Sequence, residues 1–168
     1  MRQRYLIALG SNQRHHRHGA PGRVLGAALA ALSAAGITVE RTAPILASAP
    51  LGPSRRRYTN GAAVVTTTLE PEPLLDLLKQ IEAAFGRRSG GQRWTSRVLD
   101  LDIVLWSGGA WASPALIVPH PAFRTRDFVL RPACAIAPDW RDPISYLSVR
   151  QLHAKLTKRL TQPCSLPR

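Results

Sequence analysis

Apolar residues follow two rhythms along this chain. Tyr5-Leu6-Ile7-Ala8-Leu9 is an unbroken apolar run, which predicts a buried strand ending at the turn signal Gly10-Ser11-Asn12. From Pro21 to Ala35 the period changes to that of a helix, with Leu25, Ala28, Leu29 and Leu32 on one stripe and Gly36 as the stop. Ile37 to Ser48 reads as extended with a break near Pro44, and Ala49 to Arg57 as a loop. Tyr58 to Thr68 is a predicted strand. Pro71 to Phe85 carries the clearest helical pattern, with Leu74, Leu77, Leu78, Ile81 and Phe85 facing a core. An Arg- and Gly-rich loop, Arg87 to Trp94, precedes a strand from Val98 to Trp106. A turn at Gly108-Gly109 and a short strand from Ala115 to Val118 follow. Thr125 to Ala137 predicts one or two short helices broken by Pro132, and Val149 to Leu160 a weak helix. The order β-α-β-β-α-β predicts an α+β, ferredoxin-like sandwich, an antiparallel sheet with helices on one face.

Length makes this one domain, 1–168, with its motifs within 4–145 and a C-terminal extension over 146–168. No apolar run approaches the roughly 20 residues that span a bilayer. The first ten residues lack a signal peptide's apolar length, and Cys134 and Cys164 are no disulfide framework. The expectation is a cytoplasmic protein, a monomer, with neither membrane nor nucleic acid as partner. Charge alters the picture: 23 Lys+Arg against 10 Asp+Glu give +13. That balance fits a polyanionic partner, and it equally fits an Arg-rich background composition.

The few acids then matter for where they sit. Asp100 and Asp102 alternate with Leu99, Leu101, Ile103 and Leu105, so the leucines and isoleucine face the core and the two carboxylates share the other face. Their Cα atoms would lie about 7 Å apart. Such a pair suits a hard divalent cation that also takes substrate phosphates; a solvated sheet face paired with arginines is the alternative. Arg87, Arg88, Arg93 and Arg97 precede the pair, and Arg124, Arg126 and Arg131 follow it. Carboxylates for a cation, flanked by guanidiniums, are the parts used in phosphoryl transfer. Neither a P-loop nor a kinase Gly-rich loop is present.

Pro50-Leu51-Gly52-Pro53, Tyr58-x-Asn60, Arg93-Trp94-x-x-Arg97-x-x-Asp100-x-Asp102, Val118-Pro119-His120-Pro121 and Arg126-x-Phe128 stand in this order. Through them the chain resembles the 6-hydroxymethyl-7,8-dihydropterin pyrophosphokinases of folate biosynthesis, over about four fifths of its length. The resemblance implies transfer of pyrophosphate from ATP to a pterin hydroxymethyl group, leaving AMP. It implies two Mg²⁺ ions at Asp100 and Asp102. Arg87 and Arg97 match arginines that neutralise the triphosphate and complete the catalytic set with the two aspartates. Trp94 matches a residue of the family's mobile catalytic loop, and His120 and Arg126 match phosphate contacts. Ile103 would border the adenine, while Lys79 and Glu82, on the polar side of their helix, match nucleotide-side positions. Tyr58 and Phe128 match rings that sandwich the pterin, Asn60 the amide that reads its edge, and Ser48 and Leu51 its neighbours.

Several residues depart from the family pattern. Ser48-Ala49 replace a common Thr-Pro, Lys79 a glutamine, Ser89 an arginine, Thr95-Ser96 a Gly-Pro and Ala115 an arginine that some members use for ATP. They fit a catalytically weak paralogue that binds ATP or a modified pterin. An RNA-binding module of ferredoxin type would explain the charge. It would not explain Asp100 and Asp102, and the aromatic pattern of such modules is missing. His15, His16 and His18 read as a solvated loop, with metal binding as the alternative. Trp106, Trp111 and Trp140 read as packing, and Cys134 as a small buried hydrophobe.

Overall fold

The unbroken apolar runs become the central strands of an antiparallel sheet. In a computed structural model that describes residues 1–48, 58–86 and 98–161, β1 spans Gln3–Ser11 and β4 spans Tyr58–Thr67. Between them lie α1 (Pro21–Ala34), β2 (Thr38–Thr42) and β3 (Leu46–Ser48). After β4 come α2 (Pro71–Ala84) and β5 (Asp100–Trp106), then the small ribbon β6 (Trp111–Ala112) and β7 (Ile117–Val118). A 3₁₀ turn at Phe123–Thr125 leads into α3 (Asp127–Ile136) and α4 (Val149–Thr161). The main sheet runs β2-β4-β1-β5, with β3 also paired to β4. Gly36 and Gly86 adopt φ of +81° and +88° and end α1 and α2, as the sequence predicts. The predicted loop over residues 49–57 and the Arg-rich loop lie outside the described residues, as do Leu51, Arg87, Trp94 and Arg97.

The α+β sandwich is as expected, and the sheet is covered further than one face. On one side, Tyr5, Ile7 and Leu9 of β1 pack with Leu25, Ala28 and Leu32 of α1 and with Leu74, Leu78 and Ile81 of α2. On the other, Leu6, Val64 and Leu105 pack with Val129, Leu130 and Ala133 of α3 and with Leu152 of α4. Residues that alternate along a strand point to opposite faces, so a strand buried on both sides must be apolar at every position. Ala62-Ala63-Val64-Val65 meets that requirement, and all four are buried. Pro132 does not break its segment: α3 runs through it as one helix. Burial of Val129, Leu130, Ala133 and Ile136 on the same helix compensates the hydrogen bond that proline cannot make.

β5 departs from simple alternation. Its partners on β1 run Leu6↔Leu105 and Ile7↔Ile103, so Val104 is an extra residue, a β-bulge. Leu101 and Ile103 therefore face the first core, while Leu105 faces the second, not the common core face predicted from a regular strand. Trp106 stacks near Tyr5 with ring centres 6.4 Å apart and meets the edge of Trp111 at 5.9 Å. These tryptophans pack, as expected, and Cys134 packs half-buried on the second core. Among the described residues no helix is long and apolar enough to cross a membrane.

Candidate active site

Cross-strand register places the candidate residues. Asn60 of β4, Gly10 of β1 and Asp100 of β5 are directly opposite one another in three adjacent strands. One step along, Ala62, Ala8 and Asp102 repeat the alignment. Leu46 and Ser48 of β3 pair with Asn60 and Tyr58. Opposed residues share a face, so Ser48, Tyr58, Asn60, Asp100 and Asp102 lie on the face that carries the second core. They occupy its open end, where the chain turns into α3. Asp100, Asp102, Tyr58 and Ser48 are half-buried, and Asn60 is buried.

Gly10 keeps that row open. A Cβ there would stand 3.7 Å from Asn60 Oδ1 and 3.9 Å from the Asp100 Cβ, so any side chain would fill the gap between amide and carboxylate. The Asn60 amide is oriented: its Nδ2 donates to Ser48 Oγ at 2.7 Å. Its carbonyl oxygen then faces the gap as an acceptor.

His120 approaches from the loop after β7. Its backbone N–H donates to the carbonyl of Val104 at 3.0 Å, so the bulge in β5 also anchors the histidine beside Asp102. Its Nδ1 accepts the Ala122 N–H at 3.2 Å, which leaves the proton of the neutral ring on Nε2. Burial lowers its pKa below the usual histidine value, and the Arg126 charge adds to that; the Asp102 and Asp100 charges act against it. A neutral imidazole with an Nε2 proton is a hydrogen-bond donor. The Arg126 guanidinium lies over the Phe128 ring, 5.7 Å from its centre, at the entrance to α3. Asp100, Asp102, His120, Arg126 and Phe128 are thus grouped.

Other predicted residues are placed differently. Glu82 is not on the polar side of α2: it is 2% exposed, and its Oε1 accepts the Leu101 N–H at 2.7 Å. Glu82 stands four residues after Leu78 and three before Phe85, inside the apolar stripe, a position from which burial was readable. Lys79 is exposed on the same helix. The Ile103 side chain is in the first core, on the face away from the aspartates, so only the backbone of this edge strand remains to meet a nucleotide. Two arginines after the pair hold carboxylates instead of facing the site. Arg124 grips Asp142 through two bonds of 2.7 Å, and Arg131 pairs with Asp127 at 2.8 Å. The histidine loop is not simply solvated. His15 is 8% exposed, stacks with His18 at 4.6 Å and accepts two backbone N–H groups at Nδ1, while His18 stacks on Phe85 at 4.9 Å. Among the described residues no group of three His, Cys, Asp or Glu side chains is arranged to hold a metal.

A two-carboxylate set is nonetheless consistent with Mg²⁺, which takes one or two protein carboxylates and completes its shell with water and phosphate oxygens. Asp100 and Asp102 supply hard oxygen donors from one half-buried strand face beside Gly10.

Residues 6–138 match the profile of the family described as 7,8-dihydro-6-hydroxymethylpterin-pyrophosphokinase. A 2-amino-4-hydroxy-6-hydroxymethyldihydropteridine pyrophosphokinase of Pseudomonas aeruginosa is 41% identical over 145 residues, 85% of this chain and 86% of that protein. The protein of the same name from Synechocystis is 40% identical over 118 residues; that match spans 70% of this chain and 60% of the relative. Plasmodium falciparum HPPK-DHPS shares the fold with a TM-score of 0.77 at 12% identity, covering 99% of this chain and 47% of that one.

Proposed function

The chain belongs to the 7,8-dihydro-6-hydroxymethylpterin-pyrophosphokinase family, and from that premise we propose that it transfers pyrophosphate from ATP to the hydroxymethyl group of 6-hydroxymethyl-7,8-dihydropterin. In this reaction the hydroxymethyl group gives up its O–H proton to solvent and its oxygen forms a bond to the β-phosphorus. The bond from that phosphorus to the α,β-bridging oxygen breaks, and AMP leaves. The observation that carries the reading is the row Asn60–Gly10–Asp100, with Asp102 one step along the same face. It sets an amide that can read a heterocycle within reach of carboxylates that can hold a cation on phosphate.

On this reading Asn60, held by Ser48, reads the pterin edge, and Tyr58 and Phe128 supply the rings that stack on it. By the family resemblance, Leu51 would border the same ring. Asp100 and Asp102 would hold Mg²⁺, two ions in the family's manner. Bound there, the metal supplies neutralisation of phosphate charge and a lower pKa for the attacking hydroxyl. His120 donates through Nε2 to a phosphate oxygen, and Arg126 adds its charge at the same edge. Arg87, Arg97 and Trp94 complete the triphosphate site from the sequence motif, with Lys79 and the Ile103 backbone toward the nucleoside. A cytoplasmic monomer fits this small-molecule reaction.

Asp100→Asn and Asp102→Asn test the assignment. Each should lower kcat/KM by about 10³-fold or more, the scale of removing a principal electrostatic group. Far-UV circular dichroism should be unchanged, because both side chains are half-buried outside the two cores. Near-normal turnover in either variant would remove the pair from the site.

A further inference from the structure

Leu101 separates the two aspartates on β5, a strand at the edge of the sheet. An edge strand turns alternate backbone N–H groups away from its neighbour and leaves them without a ladder partner. The Leu101 N–H is such a group, and it donates to Glu82 Oε1 across the gap to α2. Glu82 is 2% exposed, between Leu78 and Phe85 on the face of α2 that enters the first core. A carboxylate is kept in such a place only when hydrogen bonds satisfy it. On the opposite edge of β5, Asp100 and Asp102 are paired to Gly10 and Ala8 of β1. The tripeptide Asp100-Leu101-Asp102 is therefore held from both sides.

We propose that Glu82 is a positioning residue for Asp100 and Asp102. By fixing the Leu101 peptide, it sets the spacing and direction with which the two carboxylates leave the strand. It acts from beneath the sheet, on the face opposite to theirs, and it touches the backbone between them. The inference rests on the reading of the pair as a cation site. It differs from a direct nucleotide contact, for which the charge of Glu82 would matter more than its reach.

Two substitutions in the full chain separate geometry from charge. Glu82→Gln keeps the length and an acceptor oxygen but removes the charge. Glu82→Asp keeps the charge and shortens the reach by one methylene. The readouts are amide hydrogen exchange at Leu101 without ligands and the affinity for Mn²⁺, a paramagnetic probe for a hard cation, with a non-hydrolysable ATP analogue. Glu82→Asp should speed Leu101 exchange and weaken Mn²⁺ binding by about 10–100-fold, the range for groups that orient metal ligands. Glu82→Gln should keep both within about threefold of wild type, since its amide oxygen accepts the same N–H. Loss of Mn²⁺ binding in Glu82→Gln with Leu101 still protected would overturn the proposal in favour of a charge effect. Unchanged Mn²⁺ binding in Glu82→Asp would overturn it as well. A wild-type chain that protects Leu101 yet binds no Mn²⁺ would instead retire the cation site, and the positioning role with it.

Discussion

At the scale of single residues, the site depends on how a few polar groups are oriented. Asn60 is 4% exposed, and its amide has Ser48 Oγ as a partner at 2.7 Å. Ser48→Ala should leave that buried NH₂ group without its partner and free the amide to turn. The expected cost is about 1–3 kcal/mol, felt as a several-fold or larger rise in the KM for pterin with kcat changed less. Steady-state kinetics with pterin varied at saturating ATP checks it, and an unchanged KM would show that Ser48 does not orient Asn60. Most of the row was legible in the sequence, because Asp100, Asp102 and Asn60 each stand in a specific motif. The burial of Glu82 is readable from its place four residues after Leu78, but its charge reads as polar surface and masks that signal. Its hydrogen bond goes to a backbone amide, which no side-chain pattern encodes.

At the scale of elements, an irregularity in β5 helps position the site. The bulge at Val104 sends Leu105 into the second core and offers a carbonyl to His120. A rule of strict alternation places the aspartates correctly and misses that shift, because nothing in Ile103-Val104-Leu105 distinguishes a bulged strand from a regular one. The second helical layer was half legible: Pro132 reads locally as a breaker, whereas the packing of α3 on the sheet is a tertiary effect. The turn that joins α3 to α4 is fixed by Asp142, which is fully buried. Burial would raise its pKa, but hydrogen bonds from Arg124, Ser145 and the Ile144 N–H, with the Arg124 charge, lower it from 3.8 to about 2. A carboxyl with a depressed folded-state pKa stabilises fully above its unfolded value and loses that contribution as pH falls through the folded one. The window therefore runs from about pH 4 down to about pH 2 and contains about 2 kcal/mol. Denaturation of Asp142→Asn against wild type checks it: the gap should be widest near neutral pH and shrink through that window. A gap independent of pH would contradict the assignment.

At the scale of the whole molecule, a net charge of +13 is carried by a fold whose catalytic reading needs only a few of those cations. Arg4, Arg124, Arg131 and Arg150 are paired with carboxylates. The long-range field remains, and it should raise the local concentration of polyphosphate around the protein. The KM for MgATP should rise several-fold between low salt and about 0.3 M, where screening acts within a few ångströms, while kcat stays nearly constant. A salt-independent KM would leave the excess charge without a part in substrate capture.

The departures at Ser89, Thr95-Ser96 and Ala115 bear on rate, and the site geometry bears on reaction type. AMP formation separates the two most directly. Purified chain is incubated with ATP and Mg²⁺, with and without 6-hydroxymethyl-7,8-dihydropterin, and nucleotide products are resolved. The account predicts AMP that appears only with the pterin and in equal amount to pterin diphosphate. Formation of ADP, or no pterin-dependent AMP from a folded chain that still binds ATP, would contradict it.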